Sequence, residues 1–513
     1  METRTYDLLV IGGGINGTGI ARDAAGRGLS VLLVEKDELA AHTSSQSTKL
    51  IHGGLRYLEH YEFRLVAEAL AEREVLLRAA PHLIVPLLFV LPHEPHLRPV
   101  WMIRAGLFLY DHLGGRMTLP RSFRANLDNT RYGAGLKPRF RNGFVYADAR
   151  VDDARLVVCN AIDARARGAD IRVRTALVGA HRDAGLWRAT LAARDSGRTE
   201  VSARALVNAA GPWVRDVLQS VSSAPVEARV RHVKGSHIVV PRVHAEDHAY
   251  ILQNADKRIV FVIPYQDRYS LIGTTDIPVD EYEHPAIAAA ETDYLLALTN
   301  AYLERPLART DIVWSYSGVR PLYDDGSSDP SEVTRDYVLK IDAQDDRPAN
   351  ERAPILSIFG GKITTYRKLA EAALAELKPF FPAMKAGWTH DAPLPGGNLP
   401  NGDREAWCAE LSRRYPALPY ELLRALSRRH GTRAVTVLGD ARTVDDLGED
   451  FGADLTEREI VYLRDEEWAL TTEDVLWRRT KCGLPMTVSQ RARVDTYLAA
   501  RPSNGSRGRS RGE

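Results

Sequence analysis

The sequence predicts an α/β fold in which a parallel, nucleotide-binding sheet is joined to an antiparallel sheet domain and an all-helical C-terminal domain. Three observations support this prediction. A short apolar strand, Leu8–Ile11, runs directly into a glycine-rich turn near the N-terminus. Residues 230–338 are rich in short strand patterns, and residues 403–500 show only helical periodicity. A chain of 513 residues has room for roughly two to four domains of ordinary size.

The glycine-rich turn contains Gly12, Gly14 and Gly17, a spacing typical of a dinucleotide-binding turn. The first glycine permits the tight turn, the second lets the backbone approach a pyrophosphate, and the third lets the next helix pack closely on the strand. That helix, predicted over 15–27, would present free N–H groups to the phosphates. Glu35 closes the second strand, where a carboxylate can accept hydrogen bonds from both ribose hydroxyls. The order of these elements predicts that FAD or NAD binds here.

A loop rich in hydroxyl groups follows the second strand and leads into paired glycines. Its members are Thr43, Ser44, Ser45, Ser47 and Lys49, followed by His52, Gly53, Gly54 and an Arg-Tyr pair. Two interpretations remain open. In one, the hydroxyls cap a helix and the glycines only form a turn. In the other, the loop wraps cofactor phosphate and brings backbone close to a flat ring.

Residues 80–120 differ in character from the amphipathic helix predicted over 63–78. They contain many prolines and histidines around two apolar runs, 83–91 and 100–113. We interpret the segment as an insertion outside the nucleotide-binding core. Its apolar runs are either buried or face a bilayer.

The later elements follow in chain order. They are a helix over 152–168, strands at 171–173, 187–192 and 205–208, a helix opening at Pro212, strands at 236–241, 259–264, 270–273 and 337–341, and a helix over 280–307. The β-rich part is expected to form an antiparallel platform that covers a flavin. A last strand meets Gly360 and Gly361, and a helix starting at Lys362 or Thr364 would stabilise a reduced, anionic flavin with its free N–H groups.

Charge and cysteine content exclude several classes of function. The 68 basic and 67 acidic residues leave a net charge of +1, so no global field indicates nucleic acid. Cys159, Cys408 and Cys482 are far apart, which indicates a reducing compartment and neither a disulfide framework nor a metal site. The N-terminus has no signal-peptide pattern. The longest apolar run is about nine residues against roughly 17–25 for a spanning helix, so only surface attachment to a membrane remains open.

Five motifs resemble one family when they are taken together with the glycine turns. They are His52-Gly-Gly-Leu-Arg-Tyr57, Lys234-Gly-Ser-His237, Gly273-Thr-Thr-Asp276, Ser317-Gly-Val-Arg320-Pro and Gly360-Gly-Lys362-Ile-Thr-Thr. They closely resemble the FAD-dependent glycerol-3-phosphate dehydrogenases over residues 5–500, in particular the bacterial aerobic, membrane-associated respiratory enzymes. The resemblance implies oxidation of sn-glycerol 3-phosphate to dihydroxyacetone phosphate, with electrons passed from FAD to ubiquinone. It also implies an enzyme that is peripheral on the inner face of the cytoplasmic membrane. We expect a homodimer.

The resemblance further implies a glutathione-reductase-type FAD domain that is discontinuous in sequence. The expected domains are FAD-binding (1–80, 145–229 and 335–385), substrate-binding (81–144 and 230–334) and helical (391–500, after the Pro/Gly stretch 391–397). The tail, 501–513, is expected to be disordered because it has no apolar anchor.

The motifs imply roles for individual residues. Non-covalent FAD is expected to contact Gly12, Gly14, Asn16, Gly17, Glu35, Thr43, Ser44, Ser45, Ser47, Lys49, His52, Gly53, Gly54, Gly211, Trp213, Gly361, Lys362 and Thr364. The substrate phosphate is a near-dianion that needs fixed cations, and its expected contacts are Arg56, Tyr57, Thr275, Arg320 and Lys362. The expected catalytic residues are His237 and Arg320. His237 is preferred over His52 as the base that takes the hydroxyl proton.

Two other classes of function stay open. A soluble flavoprotein oxidase would pass the electrons to O2 and produce peroxide, because oxygen access depends on pocket shape and not on a motif. A non-enzymatic escort protein of the same fold would have lost FAD. The intact glycines of the first turn and the acid Glu35 count against that second alternative.

Overall fold

The computed structural model describes residues 4–94, 98–221, 230–254, 258–324, 336–343 and 352–501, without the side chains of Arg56 and His60. The chain divides into two compact units, Met1–Gly397 and Asn398–Glu513. The described part of the first unit contains two large sheets, and that of the second is mostly helical.

The first unit alternates strands and helices along most of its length. Its strands are β1 (Thr5–Ile11), β2 (Val31–Val34), β3 (Leu50–Ile51), β4 (Ile84–Pro92), β5 (Phe123–Asn126), β6 (Asn142–Val151), β7 (Asp170–Arg172), β8 (Thr175–Asp183), β9 (Leu186–Ala193), β10 (Gly197–Asn208), β11 (Val230–Pro241), β12 (Ala249–Gln253), β13 (Ile259–Tyr265), β14 (Tyr269–Gly273), β15 (Ile277–Pro278), β16 (Trp314–Tyr323), β17 (Val338–Asp342) and β18 (Ile355–Phe359). Its helices are α1 (Ile15–Gly26), α2 (Phe63–Ala79), α3 (Val100–Leu113), α4 (Asp153–Ala166), α5 (Val214–Ser220), α6 (Ala289–Tyr302) and α7 (Tyr366–Leu377).

The first sheet has the strand order β17-β18-β10-β1-β2-β7, and β8 and β9 extend it from β10. The strands from β18 to β7 run parallel, and β17 is antiparallel to β18. The apolar residues of β1 and β2 are buried, as expected for central strands of a parallel sheet. The predicted parallel nucleotide-binding sheet is therefore confirmed, and the carboxyl ends of β1 and β10 meet at one edge.

The second sheet has the order β15-β11-β14-β13-β12-β4-β6-β3, with β16 on β11 and β5 on β6. Its pairs are antiparallel except β12 with β4, which run parallel. The predicted antiparallel platform is thus present, with one parallel pair that the sequence did not predict. The sheet includes β3 and most of β6, which the expected boundaries assign to the FAD-binding domain.

Three residues of the apolar runs at 83–91 and 100–113 belong to the core. Leu87 and Phe89 lie on β4, inside the second sheet, and Leu107 faces inward from α3. All three side chains are buried. A bilayer-facing interpretation of these residues is therefore wrong, because an internal strand covered on both faces has the same continuous apolar pattern as a surface patch.

Two predicted elements differ from the structure in length or position. The helix predicted over 280–307 is shorter, since α6 begins at Ala289, where the Ala288 N–H donates to the side chain of Glu291. The strand predicted at 337–341 exists as β17, but it pairs with β18 in the first sheet and not with the platform. β17 and β18 follow one another in the chain, and the apolar pattern of a single strand does not indicate which strand it pairs with.

The second unit contains α8 (Arg404–Arg414), α9 (Tyr420–His430), α10 (Ala434–Leu438), the ribbon of β19 (Asp450–Gly452) and β20 (Leu455–Thr456), α11 (Glu457–Glu467), a π-helix (Asp474–Arg479) and α12 (Val488–Ala499). The predicted helical character is confirmed. The prediction of helices alone missed the two-stranded ribbon, whose strands are too short to show a periodic pattern. The tail was predicted to be disordered over 501–513, and its residues after 501 lie outside the described part of the chain.

Candidate functional site

A cavity of about 290 Å³ lies at the carboxyl ends of β1 and β10, beside the N-terminus of α1. Of the predicted cofactor contacts, it is lined by Gly12, Gly14, Asn16, Glu35, Thr43, Ser44, Gly211, Trp213 and Gly361. A Cβ at Gly12 would overlap the backbone oxygen of Ala209, and one at Gly17 would overlap that of Gly12. The glycines therefore allow the close packing that brings the end of α1 to the cavity, where its N–H groups can meet an anion.

Glu35 is held rigidly at the wall of this cavity. Its Oε2 accepts a 2.6 Å hydrogen bond from the Gly13 N–H, and its Oε1 accepts a 2.8 Å bond from the Asp37 N–H. Burial raises its pKa, although both backbone donors act in the opposite direction. Each oxygen keeps a lone pair for a ribose hydroxyl. One fixed carboxylate and a row of residues too small to obstruct phosphate fit the adenosine diphosphate part of FAD.

Thr43 and Ser44 face the cavity from the 3-10 turn Thr43–Ser45. The Thr43 hydroxyl donates to the carbonyl of Val319 at 2.7 Å, and the Ser44 hydroxyl accepts from the Ile15 N–H at 3.0 Å. The loop therefore meets the first turn of α1, as the interpretation of a phosphate-wrapping loop requires.

Ser45, Ser47 and Lys49, which were also predicted to contact the cofactor, make contacts that hold the loop in place. Lys49 forms a buried ion pair with Asp153 at 2.9 Å, and Ser47 donates to the same carboxylate at 2.7 Å. Lys49 Nζ also donates to the carbonyl of Ser45 at 2.8 Å. Within the part of the chain that the structure describes, none of these three residues lines the cavity. Their contact with the cofactor stays a prediction.

His42 and Lys36 line the cavity but were not predicted to do so. The ring of His42 lies 4.5 Å from that of Trp213, and Lys36 Nζ lies 3.8 Å from the centre of the Trp213 ring. His42 Nε2 is also 2.8 Å from Asp37. His42, Asp37 and Glu35 lie close enough to hold a metal ion, but each already has hydrogen-bonding partners, and we assign no metal here. Lys36 and His42 closely follow Glu35 in the sequence, and this proximity could have indicated both residues.

A buried polar network fixes the paired glycines of the turn after β3. The Gly53 N–H donates to the hydroxyl of Tyr110 at 2.9 Å, that hydroxyl donates to Asp148 at 2.7 Å, and Arg73 donates to the same carboxylate at 2.7 Å. Burial raises the pKa of Tyr110 well above its usual value, so its proton stays in place. Gly54 has φ +75°, and a Cβ there would overlap the ring of Tyr57, so only glycine fits.

Lys362 approaches this turn from the segment before α7. Its Nζ lies 3.7 Å from the centre of the Tyr57 ring, the same ring that packs on Gly54. The His52 N–H donates to the hydroxyl of Thr364 at 3.3 Å, and burial together with the charge of Lys362 lowers the pKa of His52 to about 4. A 3-10 turn, Ile363–Thr365, precedes α7, so the helix proper begins later than predicted.

Asn16 connects the same segment to the first helix. Its Nδ2 donates to the carbonyl of Gly360 at 3.2 Å, and a Cβ at Gly361 would crowd the Asn16 amide. The predicted cofactor contacts of α1 and of the Gly360 turn are thereby brought together. The side chain of Arg56, a predicted phosphate ligand, lies outside the described residues.

Arg320 lies on β16 with its guanidinium across Gly235, where a Cβ would overlap it. One nitrogen pairs with Asp276, and another donates to the hydroxyl of Thr274 at 3.2 Å. The hydroxyl of Thr275, the predicted contact, instead donates to a buried carboxylate of α6 at 2.8 Å. The hydroxyl beside Arg320 is that of Thr274, which was not among the predicted contacts. The contact of Thr275 with the substrate stays a prediction.

His237 is closed off from solvent on β11, at 1% exposure. Its ring stacks on Tyr316 with centres 4.8 Å apart, and its Nε2 is 3.0 Å from the hydroxyl of Thr48. Among the described residues no group hydrogen-bonds its Nδ1. Burial, with the charges of Lys49 and Arg320, holds its pKa well below the usual value, so the imidazole is neutral near pH 7.

The second sheet links these groups through a chain of neighbouring residues. The ring of His52 meets that of Phe261, with centres 6.4 Å apart, and Phe261 pairs with Gly273 across β13 and β14. Gly273 in turn pairs with His237, and a Cβ at Gly273 would overlap the imidazole. Neighbouring positions of one sheet therefore connect His52, beside Lys362, to His237, beside Arg320.

Two family models match the chain, and the second begins close to the boundary between the two compact units at Gly397. A family model described as FAD dependent oxidoreductase matches residues 7–341, which is more than half of the chain. A second model, described as the C-terminal domain of alpha-glycerophosphate oxidase, matches residues 388–496.

Individual relatives match over almost the full length. The aerobic glycerol-3-phosphate dehydrogenase of Escherichia coli (strain K12) is 53% identical over 97% of this chain and 98% of that protein. The D-erythritol 1-phosphate dehydrogenase of Brucella abortus (strain 2308) is 51% identical over 96% of this chain and 97% of that protein. Among solved structures, the glycerol-3-phosphate dehydrogenase from Bacillus halodurans complexed with FAD has a TM-score of 0.75 and 26% identity, over 97% of this chain and 94% of that one.

Proposed function

The chain belongs to the FAD-dependent glycerol-3-phosphate dehydrogenases, and we propose that it oxidises sn-glycerol 3-phosphate to dihydroxyacetone phosphate and passes the electrons to ubiquinone. The observation that supports this substrate is the position of a cation, Arg320, near the neutral imidazole of His237, whose pKa the charge of Arg320 helps to lower. Lys362, which lies over the ring of Tyr57, is a second cation on the same unit. Such a site can bind a phosphate and remove a hydroxyl proton. The cavity beside Glu35 would hold FAD, which would supply the acceptor for the hydride from C2 of the substrate.

The phosphate meets Arg320 and Lys362 in this proposal. Arg320 is 32% exposed, and its guanidinium fork pairs with phosphate oxygens in a bidentate geometry. The hydroxyl of Thr274, at 3.2 Å from the guanidinium, is a further donor for a phosphate oxygen. Lys362 brings a second positive charge from the segment before α7. Arg56, from the same turn as Tyr57, is the expected third cation.

His237 takes the proton of the C2 hydroxyl. An imidazole must be neutral to act as a base, and burial together with Lys49 and Arg320 keeps it so. The hydroxyl of Thr48, at 3.0 Å from Nε2, and the stacked ring of Tyr316 hold the imidazole in one orientation. Arg320 would also stabilise the developing negative charge on the substrate oxygen.

The apolar face of α3 is the surface that we propose for membrane contact. Trp101 and Phe108 are 68% and 62% exposed, and Met102 and Leu109 are exposed beside them. Arg104 lies exposed on the same helix, where a cation can meet anionic headgroups. Among the described residues no helix is long and apolar enough to span a membrane. Because ubiquinone lies in the bilayer, reduced flavin must be presented at its surface, which we place at the inner face of the cytoplasmic membrane.

The test of the proposed reaction is to mix the purified holoenzyme with sn-glycerol 3-phosphate without oxygen. We expect rapid bleaching of the visible flavin absorbance, reversed quickly by a soluble quinone and slowly by air. Rapid reversal by air with peroxide formation would instead identify an oxidase. An unchanged spectrum, or a colourless protein that cannot be loaded with FAD, would contradict the proposed activity.

A second candidate substrate is a four-carbon polyol phosphate. The relative named D-erythritol 1-phosphate dehydrogenase is 51% identical to this chain, nearly as similar as the glycerol-3-phosphate dehydrogenase of Escherichia coli. A phosphate-binding site and a base serve either substrate. Comparison of kcat/KM for the two compounds decides between them, and a higher value for D-erythritol 1-phosphate would overturn the proposed substrate.

We also propose a homodimer. Sedimentation equilibrium of the holoenzyme in mild detergent measures the assembled mass. A mass of one chain at all concentrations would contradict a dimer.

A further inference from the structure

The carboxylate of Glu291 lies at the centre of a buried polar network next to the candidate substrate site. Glu291 is 3% exposed and is the third residue of α6. Its Oε1 accepts hydrogen bonds from the hydroxyls of Ser236 and Thr275, at 2.7 and 2.8 Å. Its Oε2 accepts from the Ala288 N–H and lies against Lys234 Nζ, both at 2.8 Å. Two donors on each oxygen satisfy the ionised form, and these donors lower the pKa although burial opposes them.

One branch of the network reaches the strands that bear the base and the phosphate-binding arginine. Ser236 immediately precedes His237 on β11, and its hydroxyl is 2.8 Å from that of Ser317 on β16. Ser236 and Ser317 are directly paired in the sheet, and Arg320 follows three residues later on the same strand. The carboxylate of Glu291 is therefore linked by hydrogen bonds to both strands through Ser236.

The other branch reaches the turn that holds the guanidinium. Thr275 donates to Glu291 and also accepts a 3.0 Å hydrogen bond from the Ser236 N–H. The residues on either side of it, Thr274 and Asp276, both contact Arg320 through their side chains. The carbonyl of Thr275 accepts from the same guanidinium at 3.4 Å. The turn that holds Arg320 is thus itself held by Glu291.

We propose that Glu291 is a positioning residue, which sets the geometry of Arg320 and its turn for binding the substrate phosphate. This inference rests on the proposed function in one respect, the placement of the phosphate at Arg320. The same carboxylate caps α6, but capping alone needs only the bond to Ala288. The bonds to Ser236 and Thr275 link helix, strand and turn, and they define the additional role.

The test uses the holoenzyme with Glu291→Gln, which keeps the size but replaces one acceptor oxygen by an amide donor. We expect KM for glycerol 3-phosphate to rise about 10- to 100-fold, the cost of a misplaced binding group, with kcat in a dye-linked assay changed by less than about threefold. Inorganic phosphate, used as a competing anion, should lose affinity by the same factor. Asp293→Asn, which removes a charge from an exposed position of the same helix, is the matched control and should leave KM unchanged.

A double-mutant cycle separates positioning from general damage. In an Arg320→Ala background, Glu291→Gln should change KM by less than about twofold, because the group that it positions is gone. Equal effects of Glu291→Gln in both backgrounds, or a wild-type KM for the single variant, would overturn the inference. If Glu291→Gln does not fold, Thr275→Ala keeps the carboxylate, removes the hydroxyl bonds to Glu291 and to the Ser236 N–H, and should still raise KM. Failure of wild-type flavin to bleach with glycerol 3-phosphate would overturn the proposed function instead, and phosphate affinity then decides the role of Glu291.

Discussion

The ammonium group of Lys362 lies 3.7 Å from the centre of the Tyr57 ring. This contact joins the segment before α7 to the turn after Gly54, two parts of the chain that are far apart in sequence. A cation over an aromatic face contributes about 0.5–2 kcal/mol. The contact therefore fixes the position of a positive charge that we place at the substrate phosphate.

Replacement of the Tyr57 ring tests this relationship. Tyr57→Leu should raise KM for glycerol 3-phosphate about 2- to 30-fold, the equivalent of the lost cation–π contact. Tyr57→Phe keeps the ring and is the matched control, so its KM should stay near that of the wild type. A similar rise in both variants would show that the hydroxyl matters and the ring does not.

Removal of the Arg320 guanidinium should weaken binding of the substrate phosphate more than removal of the Tyr57 ring does. A charge-assisted pair contributes about 1.5–3 kcal/mol, so Arg320→Ala should raise KM about 10- to 150-fold. Arg320→Lys keeps the charge without the fork and should recover only part of the loss. Arg309→Ala, at an exposed surface pair, serves as the control. Arg56→Ala tests the second predicted cation, and a normal KM in both Arg320 and Arg56 variants would place the phosphate elsewhere.

The pH profile tests His237 as the base. Its folded pKa lies well below 6.5 because of burial first, then the charges of Lys49 and Arg320. A base works only when neutral, so the rate of flavin reduction should stay level as pH falls through 6.5 and decline only in more acid solution. His237→Ala should slow reduction about 10²- to 10⁴-fold and leave KM much less changed. A decline centred at pH 6.5, or near-normal reduction in the variant, would exclude this residue.

The site residues whose positions could be predicted are those that are positioned by elements adjacent to them in the sequence. Gly12, Gly17 and Glu35 lie within one continuous strand-turn-helix-strand unit, so their spacing indicated where they would lie. Thr274 and Glu291 depend on how β14, β16 and α6 meet, and a shift of one residue in a strand exchanges the face that a side chain occupies. The sequence therefore indicated the motif around Thr275 but not which of its hydroxyls faces Arg320.

A stacked pair of buried histidines should make the protein sensitive to acid. His244 and His248 lie 4.6 Å apart, and burial lowers their pKa values to about 4 and about 3, with the charge of Arg242 acting in the same direction. Unfolded histidines take up protons near pH 6.5, while the folded pair does not, so the free energy of unfolding should fall as pH drops from 6.5 towards 4. Above pH 6.5 the pair does not make the free energy of unfolding depend on pH.

The variant His244→Gln/His248→Gln isolates this effect. Thermal unfolding of the variant should depend less on pH than that of the wild type between pH 6.5 and 4. His181→Gln, at an exposed position outside the pair, is the control and should follow the wild type. Parallel curves for wild type and double variant would show that the pair does not titrate as expected.

The exposed face of α3 predicts how the protein binds membranes. Leu107 of this helix is buried, whereas Trp101 and Phe108 are largely exposed, so serine at the two exposed positions tests lipid contact without opening the core. Burial of an apolar side chain in the interface contributes about 1.5–3 kcal/mol, so Trp101→Ser/Phe108→Ser should release the protein from vesicles that contain anionic lipid. Dye-linked activity should persist, because neither residue belongs to the proposed substrate site. Val488→Ser, at an exposed apolar residue of the second unit, is the matched control. Unchanged flotation of the double variant with lipid would place the contact on another surface.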